Sequence, residues 1–235
     1  MVLITLDSKQ SDFEIHFKDP IKCKPHDEIG LISASVWYSW FNISTLYENN
    51  KLRYFLNDWL EITFPDGNYD AENLNNHIQD VTGLYGDECP VRFDVNTATN
   101  SFIMILDDGV QVDMTKGKLC ELLGFTPIVY TDKINYATKI GNITRGVDRL
   151  LIHCSLVSNS YQNNQASDIL YSFCPTGPPG SLIMVQPYQP IYLPIRGLDY
   201  IYSIAIRVTD QLNRPISFNG ETLTFVLSVR NKERE

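Results

Sequence analysis

The stretch IAIRVTDQLNRPISFNGETLTFVLSVR, residues Ile204–Arg230, alternates apolar and polar positions with a period of two on both sides of a polar middle. Successive side chains of a strand point to opposite faces. If the two halves pair, Ile204, Ile206 and Val208 share one face with Leu223, Phe225, Leu227 and Val229. Ala205, Arg207, Thr209, Thr222, Thr224, Ser228 and Arg230 then line the other. One apolar face and one wet or partly covered face is the pattern of an antiparallel sheet. No residue type here asks for catalysis, so the stretch is architecture and its use must come from elsewhere.

The same pattern recurs upstream in short runs such as VLITL, FEIHF, GLISASVWYSW, KLRYFL, WLEITF, VRFDV, SFIMIL, RLLIHCSLV and IYLPI, broken by Gly, Pro, Asn and Asp. That spacing is expected of an all-β sandwich. Ile103–Val112 carries Asp107-Asp108-Gly109 between alternating residues, which predicts a tight β-hairpin. Two segments shift to a period of about 3.6 residues and predict helices. In the first, Asp70 is the N-cap, Glu72 sits in the first turn, Leu74, Ile78 and Val81 form a stripe, and Gly83 ends it. In the second, Leu119, Leu122 and Leu123 are closed by Gly124. Neither is long enough to be a domain, so both are expected as inserts docked on the sheets. Residues 127–146 and the turn CPTGPPGS at Cys174–Ser181 are expected as loops.

At 235 residues the chain is long enough for one large β-domain or two small ones. With 43% hydrophobic and 20% charged residues it is expected to be soluble and folded, and its apolar runs are too short to span a bilayer. No linker, repeat or low-complexity tract appears, so residues 1–235 are expected to form a single domain. The expected class is all-β: a single jelly-roll β-sandwich of two antiparallel sheets, with one or two short helices inserted in loops. An immunoglobulin-like domain is usually shorter and would show a Cys, Trp, Cys spacing absent here.

A net charge of −9 repels a phosphate backbone, so direct nucleic-acid binding is not expected. The tail Arg230–Glu235 mixes signs as a solvated end does. The opening MVLITLDSKQ lacks the pattern of a secretory signal, which implies synthesis in a reducing compartment. There the five widely spread cysteines stay thiols, and the sequons at Asn42 and Asn142 are chance matches. His16, His26, His77 and His153 lack metal-binding spacing, and His153 beside Cys154 points to the opposite face of a strand. Asp107-Asp108 and Asp66-Gly67 are explained by turns rather than by calcium. With no nucleophile elbow, phosphate loop or dinucleotide fingerprint, neither enzymatic activity nor a cofactor or metal is expected.

Aromatic surface remains. In GLISASVWYSWF, the face Ile32, Ala34, Val36, Tyr38 and Trp40 suffices for a core, which leaves Leu31, Trp37 and Phe41 on the other side. Cover comes from the same chain or from a neighbouring subunit.

Read in order, MVLITLDSKQSDFEIHFKDPIKCKPHDEIGLISASVWYSWFNIS, then NNKLRY (49–54), ITFPDGNYDAENLNNHI, LLGF (122–125), LLIHCSLVSNSYQNNQASDILYSFCPTGPPG and IYLPIRGLDYIYSIAIRVTDQLNRPISFNGETLTFVLSVR resemble capsid proteins of the Polinton (Maverick) and adintovirus group. The length matches their penton-like minor capsid protein, a single jelly roll, rather than the double jelly-roll major capsid protein. The resemblance implies a homo-oligomer, a pentamer at five-fold vertices of a virion, surrounded by the double jelly-roll major capsid protein. Expected subunit contacts are Trp37, Phe41 and the loop Asp210–Pro215, with Asp210, Asn213 and Arg214. The alternative is a receptor- or glycan-binding jelly roll acting alone, followed by an enzyme on the same fold whose site is assembled from distant residues.

Overall fold

The computed structural model describes residues 1–141 and 147–232. These fold as two compact units, one of residues 1–40 and 147–232, the other of residues 41–141. The first unit begins with β1 (Val2–Ser8), β2 (Asp12–Lys22) and β3 (Asp27–Trp37). The second comprises β4 (Lys51–Leu56), β5 (Asp58–Thr63), α1 (Ala71–Thr82), β6 (Val91–Asn96), β7 (Ser101–Leu106), β8 (Gln111–Asp113), α2 (Leu119–Leu123), β9 (Val129–Tyr130) and β10 (Ile134–Tyr136). The chain then returns to the first unit through β11 (Leu150–Cys154), β12 (Ser160–Gln162), β13 (Gln165–Ser167), β14 (Ile169–Phe173), β15 (Leu182–Val185), β16 (Tyr192–Pro194), β17 (Tyr200–Asp210) and β18 (Leu223–Asn231).

Strand pairing in the first unit is nested. β1 pairs with β18, β2 with β17, β3 with both β15 and β16, and β11 with β14, all antiparallel. A long hairpin rolled up in this way gives one sheet in the order β1-β18-β3-β15, with β16 also on β3, and a second in the order β14-β11-β17-β2. This is a jelly roll. The expected sandwich is therefore present, but β17 and β18 do not pair with each other as the closing stretch invited. They lie in opposite sheets. Ile204, Ile206 and Val208 are fully buried, as are Leu223, Phe225 and Leu227, and all belong to one apolar cluster. Their common face is thus the interior of a sandwich, where two sheets bury what neither could bury alone. Phe13 of β2 meets Phe225 of β18 across it, ring centroids 6.2 Å apart.

A bulge in β3 changes which residues this core receives. Val226 lies opposite Ser33 and Leu227 opposite Leu31, so Ile32 is the extra residue. An extra residue reverses the inside-outside phase of a strand. Ile29 and Leu31 are therefore buried before it, and Ala34 and Val36 after it, with Tyr38 and Trp40 following. Leu31, expected on the outer side, is a core residue.

The second unit has its own sheets, β5-β4-β8-β9 and β10-β7-β6, and its own apolar cluster around Ile43, Phe64, Leu74, Ile78, Phe93, Met104 and Leu123. Where a single domain over 1–235 was expected, the connection from β3 to β11 carries a compact unit with a separate core. Both predicted helices belong to it. The Asp70 carboxylate accepts from the Asn73 amide at 2.7 Å, and Gly83 and Gly124 end their helices in the left-handed region. Leu74 and Ile78 are buried, whereas Val81, expected in the stripe, is exposed. Asn75 projects from α1 and exchanges two 2.7 Å hydrogen bonds with the backbone of Phe93, which satisfies the edge of β6.

The predicted hairpin at Asp107–Gly109 keeps its turn and loses its pairing. The Val110 N–H donates to the Asp107 carbonyl at 3.1 Å, but β7 pairs with β6 and β10 while β8 pairs with β4 and β9. The turn carries the chain from one sheet to another. Residues 127–141, expected as loop, include the short strands β9 and β10, whereas Cys174–Ser181 is a loop as predicted. Among the described residues no helix is long and apolar enough to cross a membrane.

Facing sheets predict coupled core substitutions. Phe225→Ala is expected to lower the unfolding free energy by about 3–5 kcal/mol. In a double-mutant cycle with Phe13→Ala, measured by denaturant unfolding, the two should couple by about 0.5–1.5 kcal/mol. Strict additivity would contradict contact across the sandwich.

Candidate functional site

The expected contact residues fall in different settings. Trp37 ends β3 with 36% of its surface exposed, and its cross-strand partner on β15 is Leu182, 44% exposed. Met184, two residues on and 77% exposed, stands on the same outward face, because side chains in register and at i+2 point the same way. Beyond it the edge strand is interrupted. Residues 186–191 leave the sheet between β15 and β16, and Tyr188 and Ile191 stand exposed on that excursion. The structure thus places Trp37 in an exposed apolar patch at a sheet edge, together with Leu182 and Met184, which sequence reading did not single out. Phe41, in the second unit, is half-buried.

Asp210, Asn213 and Arg214 form a tight loop after β17. The Asp210 side chain is fully buried and accepts from the amides of Leu212 and Arg214 at 2.8 Å and from the Arg214 guanidinium at 2.6 Å. Asp210 therefore holds the loop, while Asn213 is exposed at its tip and donates to Gln162 at 3.1 Å. Of these three expected subunit contacts, Asp210 is thus interior to the loop and Asn213 is exposed on it.

Among the described residues, no three His, Cys, Asp or Glu side chains converge to hold a metal ion. His16 is exposed, 3.9 Å from Glu14, and His77 stands 3.1 Å from the Thr63 carbonyl. His153 is different. It is 3% exposed, on the outer face of the second sheet, with Nδ1 2.6 Å from Asp168 and Nε2 3.0 Å from the Thr209 hydroxyl. Its spacing to a hydroxyl and a carboxylate resembles a nucleophile-base pair, but Thr209 is 1% exposed, so no substrate reaches its oxygen. The arrangement is a packed, hydrogen-bonded histidine. Sequence reading expected the packing and missed both partners.

Cys154 points to the opposite face, into the core, and burial is the main cause that raises its thiol to about 11. Cys23, Cys89 and Cys120 are also buried free thiols that burial pushes up, while Cys174 is exposed in the loop after β14. The four buried thiols thus lack the lowered pKa of a catalytic thiolate. Asn42 is buried and bonded to Tyr69 through both ends of its amide, which leaves its sequon no room for a glycan. The sequon at Asn142 lies outside the described residues.

No protein-family model matches the chain, and no curated protein matches it. Among solved structures, the crystal structure of the mavirus penton protein is similar to it, at 9% sequence identity and a TM-score of 0.49, over 97% of this chain and 98% of that one.

Cysteine environments predict two measurements. At pH 8 only Cys174 should react rapidly with a thiol reagent, and all five should react after denaturation. Because the unfolded Cys154 thiol ionises near 9 and the folded one near 11, the folded state binds the proton over that range. Stability from this group is full below pH 9 and is lost as pH rises to 11, on the order of 2–3 kcal/mol. Cys154→Ser should flatten that fall in a pH series of denaturant midpoints.

Proposed function

We propose that the chain is a structural capsid protein, the penton-like minor capsid protein of a virus or element of the Polinton (Maverick) and adintovirus group. The observation that carries this reading is the nested strand order of a jelly roll on a chain whose sequence resembles those capsid proteins run by run from end to end. Fold alone does not choose a function. The distribution of chemistry supports the same choice, because the accessible surface offers exposed aromatics and loops, while His153, which has a carboxylate and a hydroxyl partner, and four of the five thiols are buried.

In this role the protein works by shape. Five copies close around a vertex through a heterologous interface, in which one side of a subunit meets the other side of its neighbour. Trp37, Leu182 and Met184 supply an apolar patch for one side, and the Asp210–Pro215 loop, with Asn213 at its tip and Arg214 braced by Asp210, supplies a polar contact for the other. Phe41 adds a contact from the second unit. The double jelly-roll major capsid protein surrounds the ring, and the virion is the location.

The test is native mass spectrometry with negative-stain imaging of the full chain over a concentration series. Rings of five chains are expected. Trp37→Asp should weaken their association about 30-fold or more while leaving the unfolding midpoint within a few degrees, since a central aromatic contact contributes about 2 kcal/mol or more. A closed two-fold dimer, or a monomer at every concentration reached, would contradict the reading.

A further inference from the structure

On the outer face of the second sheet, side chains from five separate segments converge on one cavity of about 470 Å³. His153 of β11 and Arg207 of β17 are cross-strand partners. Asp168 precedes β14, the β12–β13 hairpin contributes Gln162, Gln165, Ala166 and Ser167, and Arg196 and Asn213 come from the loops on either side of β17. Ala166 is the one apolar side chain among these.

The hydrogen-bond inventory shows which of these groups are spent. The Asp168 carboxylate only accepts, so the His153 nitrogen 2.6 Å away carries the proton and donates. That nitrogen then cannot also accept from Arg207, whose Nη2 lies 3.4 Å from it. Asp168 itself is 4.0 Å from Arg207 Nη2, close enough for attraction and too far for a hydrogen bond. The Arg207 guanidinium is thus held at the cavity by charge, and among the described residues its N–H groups have no acceptor to spend them on. Arg196 is anchored by its backbone N–H on the Leu156 carbonyl at 2.9 Å and its Nε–H on the Val157 carbonyl at 3.0 Å, which leaves the outer end of its fork open. The Ser167 hydroxyl accepts from the Ile169 amide at 3.3 Å and keeps its own proton to donate, and Gln165 is exposed at the rim.

We infer that this cavity binds a small hydroxylated carboxylate, with an acidic sugar as the class that fits. Two guanidinium forks face one carboxylate, so the site is net positive within a chain of net charge −9. Planar forks match a carboxylate in two parallel hydrogen bonds, and no lysine is present to act as a point charge. The amides of Gln162, Gln165 and Asn213 and the Ser167 hydroxyl match ring hydroxyls. The volume suits a monosaccharide, and the lack of apolar wall disfavours a peptide, which would need footholds for its side chains. His153 does not touch the ligand. It is a positioning residue that fixes Asp168 and, through it, Arg207.

This inference is independent of the capsid reading, because binding is measured on the full chain in whatever oligomeric state it adopts. Isothermal titration and saturation-transfer NMR would use N-acetylneuraminic acid and glucuronic acid as probes, with glucose, inorganic phosphate and an acidic peptide as comparators. Both acidic sugars should bind at least about tenfold more tightly than glucose or phosphate. Arg207→Gln and, separately, Arg196→Gln should each weaken sugar binding about tenfold or more while leaving the unfolding midpoint within a few degrees, both side chains being solvent-accessible and Arg196 losing one hydrogen bond to the backbone. Equal binding of glucose and acidic sugars, preference for phosphate or for the peptide, undiminished binding by both variants, or no binding at about 10 mM sugar would each overturn it.

Discussion

The antiparallel pairing of Val2–Ser8 with Leu223–Asn231 is the constraint on which the rest depends. It joins the beginning of the chain to its end in one sheet, and every other jelly-roll pair nests inside it. Once this outer pair is in place, β17 must lie against β2 in the facing sheet, and the apolar faces of β17 and β18 can only meet across the interior. The core is therefore a product of long-range pairing. A chain built in this way pays loop-closure entropy before most of its contacts form, which places it among slow-folding topologies.

Nesting also accounts for where additional chain is tolerated. The connection between β3 and β11 passes from one sheet to the other at a point where neither strand needs its sequence neighbour as a pairing partner. A compact unit with its own core can occupy that connection at little topological cost, since loop-closure entropy grows only slowly with length. Its internal devices are local: an Asp70 cap, Asn75 on the edge of β6, and a sheet switch at Asp107–Gly109. Each satisfies backbone groups that a bare connection would leave exposed.

What sequence made legible was the face of each strand, and what it hid was the partner. Period-two alternation states that Ile204, Ile206 and Val208 turn inward, but Leu223 and Phe225 satisfy it equally as sheet neighbours or as residues opposite. The same limit undid the hairpin, where Asp107–Gly109 made its turn and then delivered β8 to other strands. The phase of β3 was hidden by one residue, Ile32, because a bulge leaves no mark in composition. Helix ends were legible because caps are local, as at Asp70 and Gly124. The second unit was not, since its strands have the same composition as those around it and no linker announces it. The polar cavity was the least visible feature: His153 finds Asp168 and Thr209 at separations of 15 and 56 residues, and no local pattern encodes that meeting.

Sheet edges narrow how copies of this chain can meet. A jelly roll leaves four edges open to strand addition, and unpaired backbone there is a template for uncontrolled association. In this protein the β2 edge carries Lys18, Asp19, Pro20 and Lys22, and charge and proline both oppose pairing. One edge of the opposite sheet is blunted differently, since its outer strand is split into β15 and β16 by the excursion over residues 186–191 and is too short in either half to seed a new ladder. At that same edge the side chains of Trp37, Leu182 and Met184 remain exposed. Backbone pairing between copies is thus discouraged where apolar side-chain contact is available. On the reading proposed above, side-chain contact through a patch and a loop can close a ring at a fixed number of copies, whereas strand addition has no natural end.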